Sequence, residues 1–67
     1  VRTLLIRVND KEMEFCGNIL DLMLSLNLNP KTCAVLVNGE IVKKDDWENF
    51  VLKDGDYVEI VSFVGGG

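Results

Sequence analysis

Three features of the 67-residue chain predict an α+β domain in which one main helix packs on one face of a mixed sheet of four to five strands. Residues 4–15 alternate apolar and polar side chains with the period of a hairpin. Residues 19–26 space their apolar side chains at helical intervals instead, and the runs at 33–37, 41–42 and 57–63 return to strand character.

Leu4, Ile6 and Val8 alternate with Thr3, Leu5 and Arg7, which puts one face of the first strand on a core. Asn9 and Asp10 supply turn chemistry, and Met13 and Phe15 resume the alternation against Glu12 and Glu14. Gly17 breaks the pattern. Asn18 is a helix cap, with Asp21 placed where the helix dipole favours a negative charge. Ile19, Leu22, Met23 and Leu26 then form a stripe facing the sheet. Leu20 and Leu24 fall outside that stripe; they either widen the core contact or mark a partner surface. Asn27, Asn29 and Pro30 end the helix.

Cys33 to Val37 is apolar on both faces, the pattern of a strand with neighbours on either side. Asn38-Gly39 signals a turn into a short strand at Ile41 and Val42. Lys43 to Asp46 reads as a solvated loop or helical turn, and Trp47 and Phe50 close the bottom of the core. Asp54-Gly55-Asp56 makes a tight turn whose two carboxylates fall short of a calcium loop, so no metal is expected. Tyr57 to Phe63 forms the last strand, with Val58 and Ile60 on one face and Tyr57, Val61 and Phe63 on the other. The helix offers the crossover that parallel pairing of the first and last strands requires, an arrangement known as the ubiquitin-like β-grasp. The opposite sheet face has no second helix to cover it, so Leu5, Val61 and Phe63 are expected to form an exposed docking patch.

Eleven acidic residues against seven basic ones give a net charge of −4, and the basic residues are scattered, which argues against nucleic acid as a partner. No apolar run is long enough to span a bilayer and no basic leader precedes one, so the expected location is the cytoplasm, away from membranes. Histidine is absent, and two cysteines suggest neither a disulfide framework nor a zinc site. Cys33 reads as a small core residue, whereas Cys16, beside a turn, is a candidate for exposure. No pairing of nucleophile and base is visible, so no catalytic residue is assigned.

What remains is the glycine run. Domain 1–63 leads into a flexible tail at 64–67: Val64, Gly65, Gly66 and Gly67. Without Cβ atoms such a segment threads through a slot too narrow for side chains, and four extended residues reach about 13 Å. The tail can therefore carry its end into the active site of a partner enzyme while the folded body stays outside.

Several stretches taken in order carry a family resemblance. Val37-Asn38-Gly39-Glu40-Ile41-Val42, then Trp47, then Leu52-Lys53-Asp54-Gly55-Asp56-Tyr57-Val58-Glu59-Ile60-Val61 and the ending Val64-Gly65-Gly66-Gly67 resemble the ThiS family, the sulfur carriers of thiamine biosynthesis. The MoaD family of molybdopterin carriers is similar in architecture but has a proline-rich lead into its Gly-Gly end, where this chain has Glu59-Ile60-Val61-Ser62-Phe63. Lys43-Lys44 departs from the proline often found there in ThiS relatives. The resemblance implies that a ThiF-like enzyme uses ATP and magnesium to adenylate the Gly67 carboxylate, and that sulfur drawn from cysteine through a cysteine desulfurase converts it to a thiocarboxylate. A ThiG-like thiazole synthase then receives that sulfur. The chain would be a co-substrate with no bound cofactor of its own. The alternatives are a molybdopterin-type carrier, a ubiquitin-like protein modifier and a plain interaction module.

Overall fold

Asn9 has a φ of 54°, a left-handed conformation that asparagine tolerates, and it folds β1 (Leu4–Val8) back on β2 (Lys11–Phe15) with Val8 opposite Lys11 and Leu4 opposite Phe15. The structure is a computed structural model that describes residues 4–63. The tail residues Val64, Gly65, Gly66 and Gly67 lie outside the described residues, so the boundary between a 1–63 domain and a 64–67 tail falls at their edge.

The helix α1 spans Ile19–Ser25 and starts at the Asn18 cap, whose side chain accepts a hydrogen bond from the Asp21 amide at 2.7 Å. Ile19, Leu22 and Met23 are fully buried. Leu26 is the C-cap rather than a helical residue and is half-buried, because Asn27 turns left-handed at φ 58° one residue later. Of the two leucines outside the stripe, Leu20 packs partly against the core, while Leu24 is exposed. A short 3-10 helix at Pro30–Thr32 then delivers the chain into β3 (Cys33–Val37).

Asn38 at φ 52° and Gly39 at φ 88° give the two consecutive positive angles that a two-residue hairpin needs to match strand twist. They join β3 to β4 (Glu40–Val42), with Val37 opposite Glu40 and Val35 opposite Val42. Residues 44–49 form a second 3-10 helix that drops Trp47 into the core, and its indole N–H donates to the Val42 carbonyl at 2.9 Å. Phe50 packs against the core from a half-buried position.

The final strand β5 (Tyr57–Ser62) pairs parallel with β1, through Arg7 opposite Tyr57 and Val8 opposite Val58, and antiparallel with β3. The sheet order is β2-β1-β5-β3-β4, a five-stranded mixed sheet with β5 at its centre. Ile6 and Val8 from β1, Val35 from β3 and Val58 from β5 meet Leu22 and Met23 of α1, and this layer is the core. The strand ends at Ser62, one residue short of the sequence expectation; Phe63 follows it.

Entry of β5 into the sheet is held by side chains. The Lys53–Asp56 turn places Gly55 at φ 87°. One Asp56 carboxylate oxygen accepts from the Lys53 amide at 2.8 Å, and the other accepts from the Asn38 side-chain amide at 3.0 Å. Asp54 accepts from the Leu5 amide at 2.9 Å, and Asn38 accepts from the Tyr57 amide at 3.0 Å. On the β1 side, the Asn9 side chain accepts from the Ile60 amide at 2.9 Å. No helix among the described residues is long and apolar enough to cross a membrane.

Two substitutions test this account. Val58→Asp places an unpaired carboxylate at a fully buried position and is expected to lower stability by about 4 kcal/mol or more; a urea melt matching the parent would contradict the strand assignment. Asp56→Ala leaves the Lys53 amide and the Asn38 side chain without their acceptor, and the same melt should register a loss of about 1–3 kcal/mol.

Candidate functional site: the end of the central strand and the open sheet face

Because side chains alternate along a strand, the register decides what faces away from α1. With Ile6, Val8, Val35 and Val58 on the core side, the open face receives Glu12 and Glu14 from β2 and Leu5 and Arg7 from β1. It also receives Tyr57, Glu59 and Val61 from β5, Ala34 and Leu36 from β3, and Ile41 from β4. The face is divided. Ala34 lies opposite Val61, whereas Leu36 lies between Glu59 of β5 and Ile41 of β4, so the apolar side chains of β5, β3 and β4 are interrupted by a carboxylate. The β2 and β1 side carries Glu12, Glu14 and Arg7.

All three residues of the expected docking patch are exposed, Leu5 at 45%, Val61 at 47% and Phe63 at 58%. They do not form one surface. The Leu5 carbonyl accepts from the Gly55 amide at 2.8 Å, which sets Leu5 level with Gly55, two residues before β5. Val61 lies six residues beyond Gly55, about 20 Å away at a rise of ~3.3 Å per residue. Leu5 instead borders a groove of mixed polarity with Arg7, Glu12, Asp54 and Tyr57. Val61 and Phe63 lie toward the tail end with Ala34 opposite Val61, while Leu36 and Ile41 lie two residues further back, level with Glu59. Ala34, Leu36 and Ile41 went unnoticed in the sequence, although the double-sided apolar pattern of residues 33–37 was their signal: one of its faces packs on the core and the other looks outward.

The root of the tail is fixed. The Phe63 amide donates to the Thr32 carbonyl at 2.7 Å, tying the residue after β5 to the 3-10 helix at Pro30–Thr32. That short helix is itself braced by the Asn29 side chain, which accepts from the Lys31 amide at 3.0 Å. The candidate tail residues Val64 to Gly67 begin just past this anchor, outside the described residues. Among the described residues no group of three or more His, Cys, Asp or Glu side chains is placed to hold a metal ion. Cys33 is buried, with its Sγ 3.5 Å from the Ser62 hydroxyl, and Cys16 is exposed.

The sequence profile of the ThiS family matches residues 6–67, nearly the whole chain and including its glycine run. The chain belongs to the ThiS family. The sulfur carrier protein ThiS of Bacillus subtilis (strain 168) is 38% identical over 66 residues, covering 94% of this chain and 100% of that protein. A thiazole synthase of Paramagnetospirillum magneticum (strain ATCC 700264 / AMB-1) is 36% identical over 62 residues, which is 90% of this chain but 19% of the synthase. Among solved structures, the crystal structure of a thiamine biosynthesis protein (ThiS) from Geobacter metallireducens superposes with a TM-score of 0.81 at 29% identity, covering 96% of this chain and 100% of that one. The ThiS relatives therefore share both the length and the β-grasp fold of this chain.

The burial of the two thiols sets a direct check. Cys16 should react with a maleimide reagent in the native protein, while Cys33 should react only on unfolding. Equal labelling of both by mass spectrometry under native conditions would contradict the packing of β3 against α1.

Proposed function

We propose that this chain is a sulfur carrier of thiamine biosynthesis and that the acyl group of Gly67 bears the sulfur. The observation that carries the reading is position: the family match runs through Gly67, and the glycine run begins two residues beyond the backbone anchor at Phe63. The Bacillus carrier is matched over 100% of its own length.

A C-terminal carboxylate has a pKa of about 3.3–3.7, is ionised at neutral pH and is a poor electrophile. It needs activation by another protein. In this reading a ThiF-like enzyme, with ATP and magnesium at its own site, transfers AMP to the Gly67 carboxylate and releases pyrophosphate. A persulfide, its terminal sulfur derived from cysteine through a desulfurase, then displaces AMP to form an acyl disulfide, and a thiol reductant cleaves the S–S bond to leave the thiocarboxylate. A ThiG-like thiazole synthase takes up that sulfur. The pairing with thiazole synthase is supported by the Paramagnetospirillum protein, in which a segment similar to this chain is part of a synthase polypeptide. The carrier contributes bare backbone at Gly65 and Gly66, an anchored root at Phe63, and a reactive end; the acid, base and nucleotide chemistry belong to its partners.

Two measurements test the assignment. Incubation with the adenylating enzyme, ATP and a sulfur source should raise the intact mass by about 16 Da, as oxygen is exchanged for sulfur. Isopeptide conjugates to lysine in its place would overturn the carrier reading in favour of a protein modifier. Gly66→Leu should lower ATP–pyrophosphate exchange by about 100-fold or more through misplacement of the reacting carboxylate, while the melting temperature stays at the parent value. Unchanged exchange would refute threading of the tail.

A further inference from the structure

The hairpin between β3 and β4 is built on a chemically labile pair. Of the chain's six asparagines, Asn38 alone precedes a glycine, and glycine leaves the peptide nitrogen after an asparagine unshielded by any side chain. We propose that Asn38 is a site of deamidation, and that its hydrogen bonds to Asp56 and Tyr57 hold the reaction in check while the hairpin is closed.

The fold itself imposes the pair. A two-residue turn that matches strand twist needs positive φ at both positions, here 52° at Asn38 and 88° at Gly39. Asparagine tolerates the first and glycine takes the second without penalty. The contact with β5 then selects the side chain at position 38, because it must donate and accept at once. Its Oδ1 accepts from the Tyr57 amide at 3.0 Å, and its Nδ2 donates to an Asp56 carboxylate oxygen at 3.0 Å. Ionised aspartate accepts but cannot donate, and glycine does neither.

The chemistry runs within the dipeptide. The Gly39 amide nitrogen gives up its proton and bonds to Asn38 Cγ; the Cγ–Nδ2 bond breaks, ammonia leaves, and a five-membered succinimide closes. Water then opens the ring at either carbonyl, giving an aspartyl or an isoaspartyl residue. Gly39 is exposed, with nothing within 4 Å of where a Cβ would stand, so water has access to the ring. Ring closure requires Cγ to swing over the Gly39 nitrogen, whereas the closed hairpin holds the side chain across to β5 by both hydrogen bonds. Local opening is therefore the gate.

Either product loses the clamp. A carboxylate oxygen in place of Nδ2 would stand 3.0 Å from the Asp56 oxygen with no proton between them. The isoaspartyl linkage adds a methylene to the main chain of a turn whose length fixes Val37 opposite Glu40. Asn9 is the internal control: it also faces β5, accepting from the Ile60 amide at 2.9 Å, but Asp10 follows it.

The full chain incubated at mildly alkaline pH, folded in buffer or unfolded in urea, tests the proposal, with deamidation read at each asparagine by peptide mapping and mass spectrometry. In urea Asn38 should convert faster than Asn9 and every other asparagine; in buffer it should convert about tenfold or more slower than in urea. Asp56→Ala should raise the rate in buffer about fivefold or more. Ile6→Val, which trims the core and leaves the clamp intact, should change it less than about twofold. If Asp56→Ala melts below the incubation temperature, Asp56→Glu, whose longer arm misplaces both oxygens, takes its place with the same direction expected. Equal rates in buffer and urea, a parent-like rate in the Asp56 variant, or an Ile6→Val rate matching it would each overturn the gate. An Asn38 that stays intact in urea would overturn the site. Asn38→Asp, which reproduces the aspartyl product, should melt below the parent, and an unchanged melt would refute the loss of the clamp.

Discussion

The insertion of β5 between β1 and β3 is the constraint on which the rest of the molecule depends. A parallel pair cannot be closed by a tight turn, so the chain must travel through α1, β3, β4 and a 3-10 helix before its last strand returns beside its first. Entry at the right register is enforced by polar side chains rather than by apolar packing alone. Asp54 holds the Leu5 amide, Asp56 and Asn38 hold the turn and the Tyr57 amide, and Asn9 holds the Ile60 amide. A slip of one residue would turn Val58 outward and Glu59 into the core, exchanging apolar burial for an unpaired charge.

That register has a consequence for both sides of the sheet. One face takes α1 and becomes the core; the other carries exposed Val61 and Ile41 beside half-buried Ala34 and Leu36. The same strand then delivers the chain to Phe63, where the hydrogen bond to Thr32 stops the backbone from drifting before the glycine run begins. The last described residue, Phe63, is thus held in place beside the open side of the sheet.

The division of labour follows from the size of the chain. A domain of 67 residues has little interior to spare beyond its own core, and here that interior is given wholly to apolar packing, with no buried polar or charged residue among those described. Membership of the ThiS family gives this division a biological setting, with sulfur as the proposed cargo.

The local elements were legible in the sequence because each is set by nearest-neighbour physics. The alternation of β1 and β2, the Asn18 cap, the Asn38-Gly39 hairpin, the buried Cys33 and the inner position of β3 all followed from periodicity and turn chemistry. The glycine run and the ordered motifs were equally visible, since family membership is a property of residues in sequence. The composition of the open face was not. Leu5, Val61 and Phe63 share a face by parity, yet how far apart they lie depends on the offset between two strands some fifty residues apart in the chain, and no local pattern encodes that offset. Only the tertiary pairing of β1 with β5 sets Leu5 beside Gly55, and only the pairing of β3 with β5 and β4 sets Ala34 opposite Val61 and Leu36 between Glu59 and Ile41.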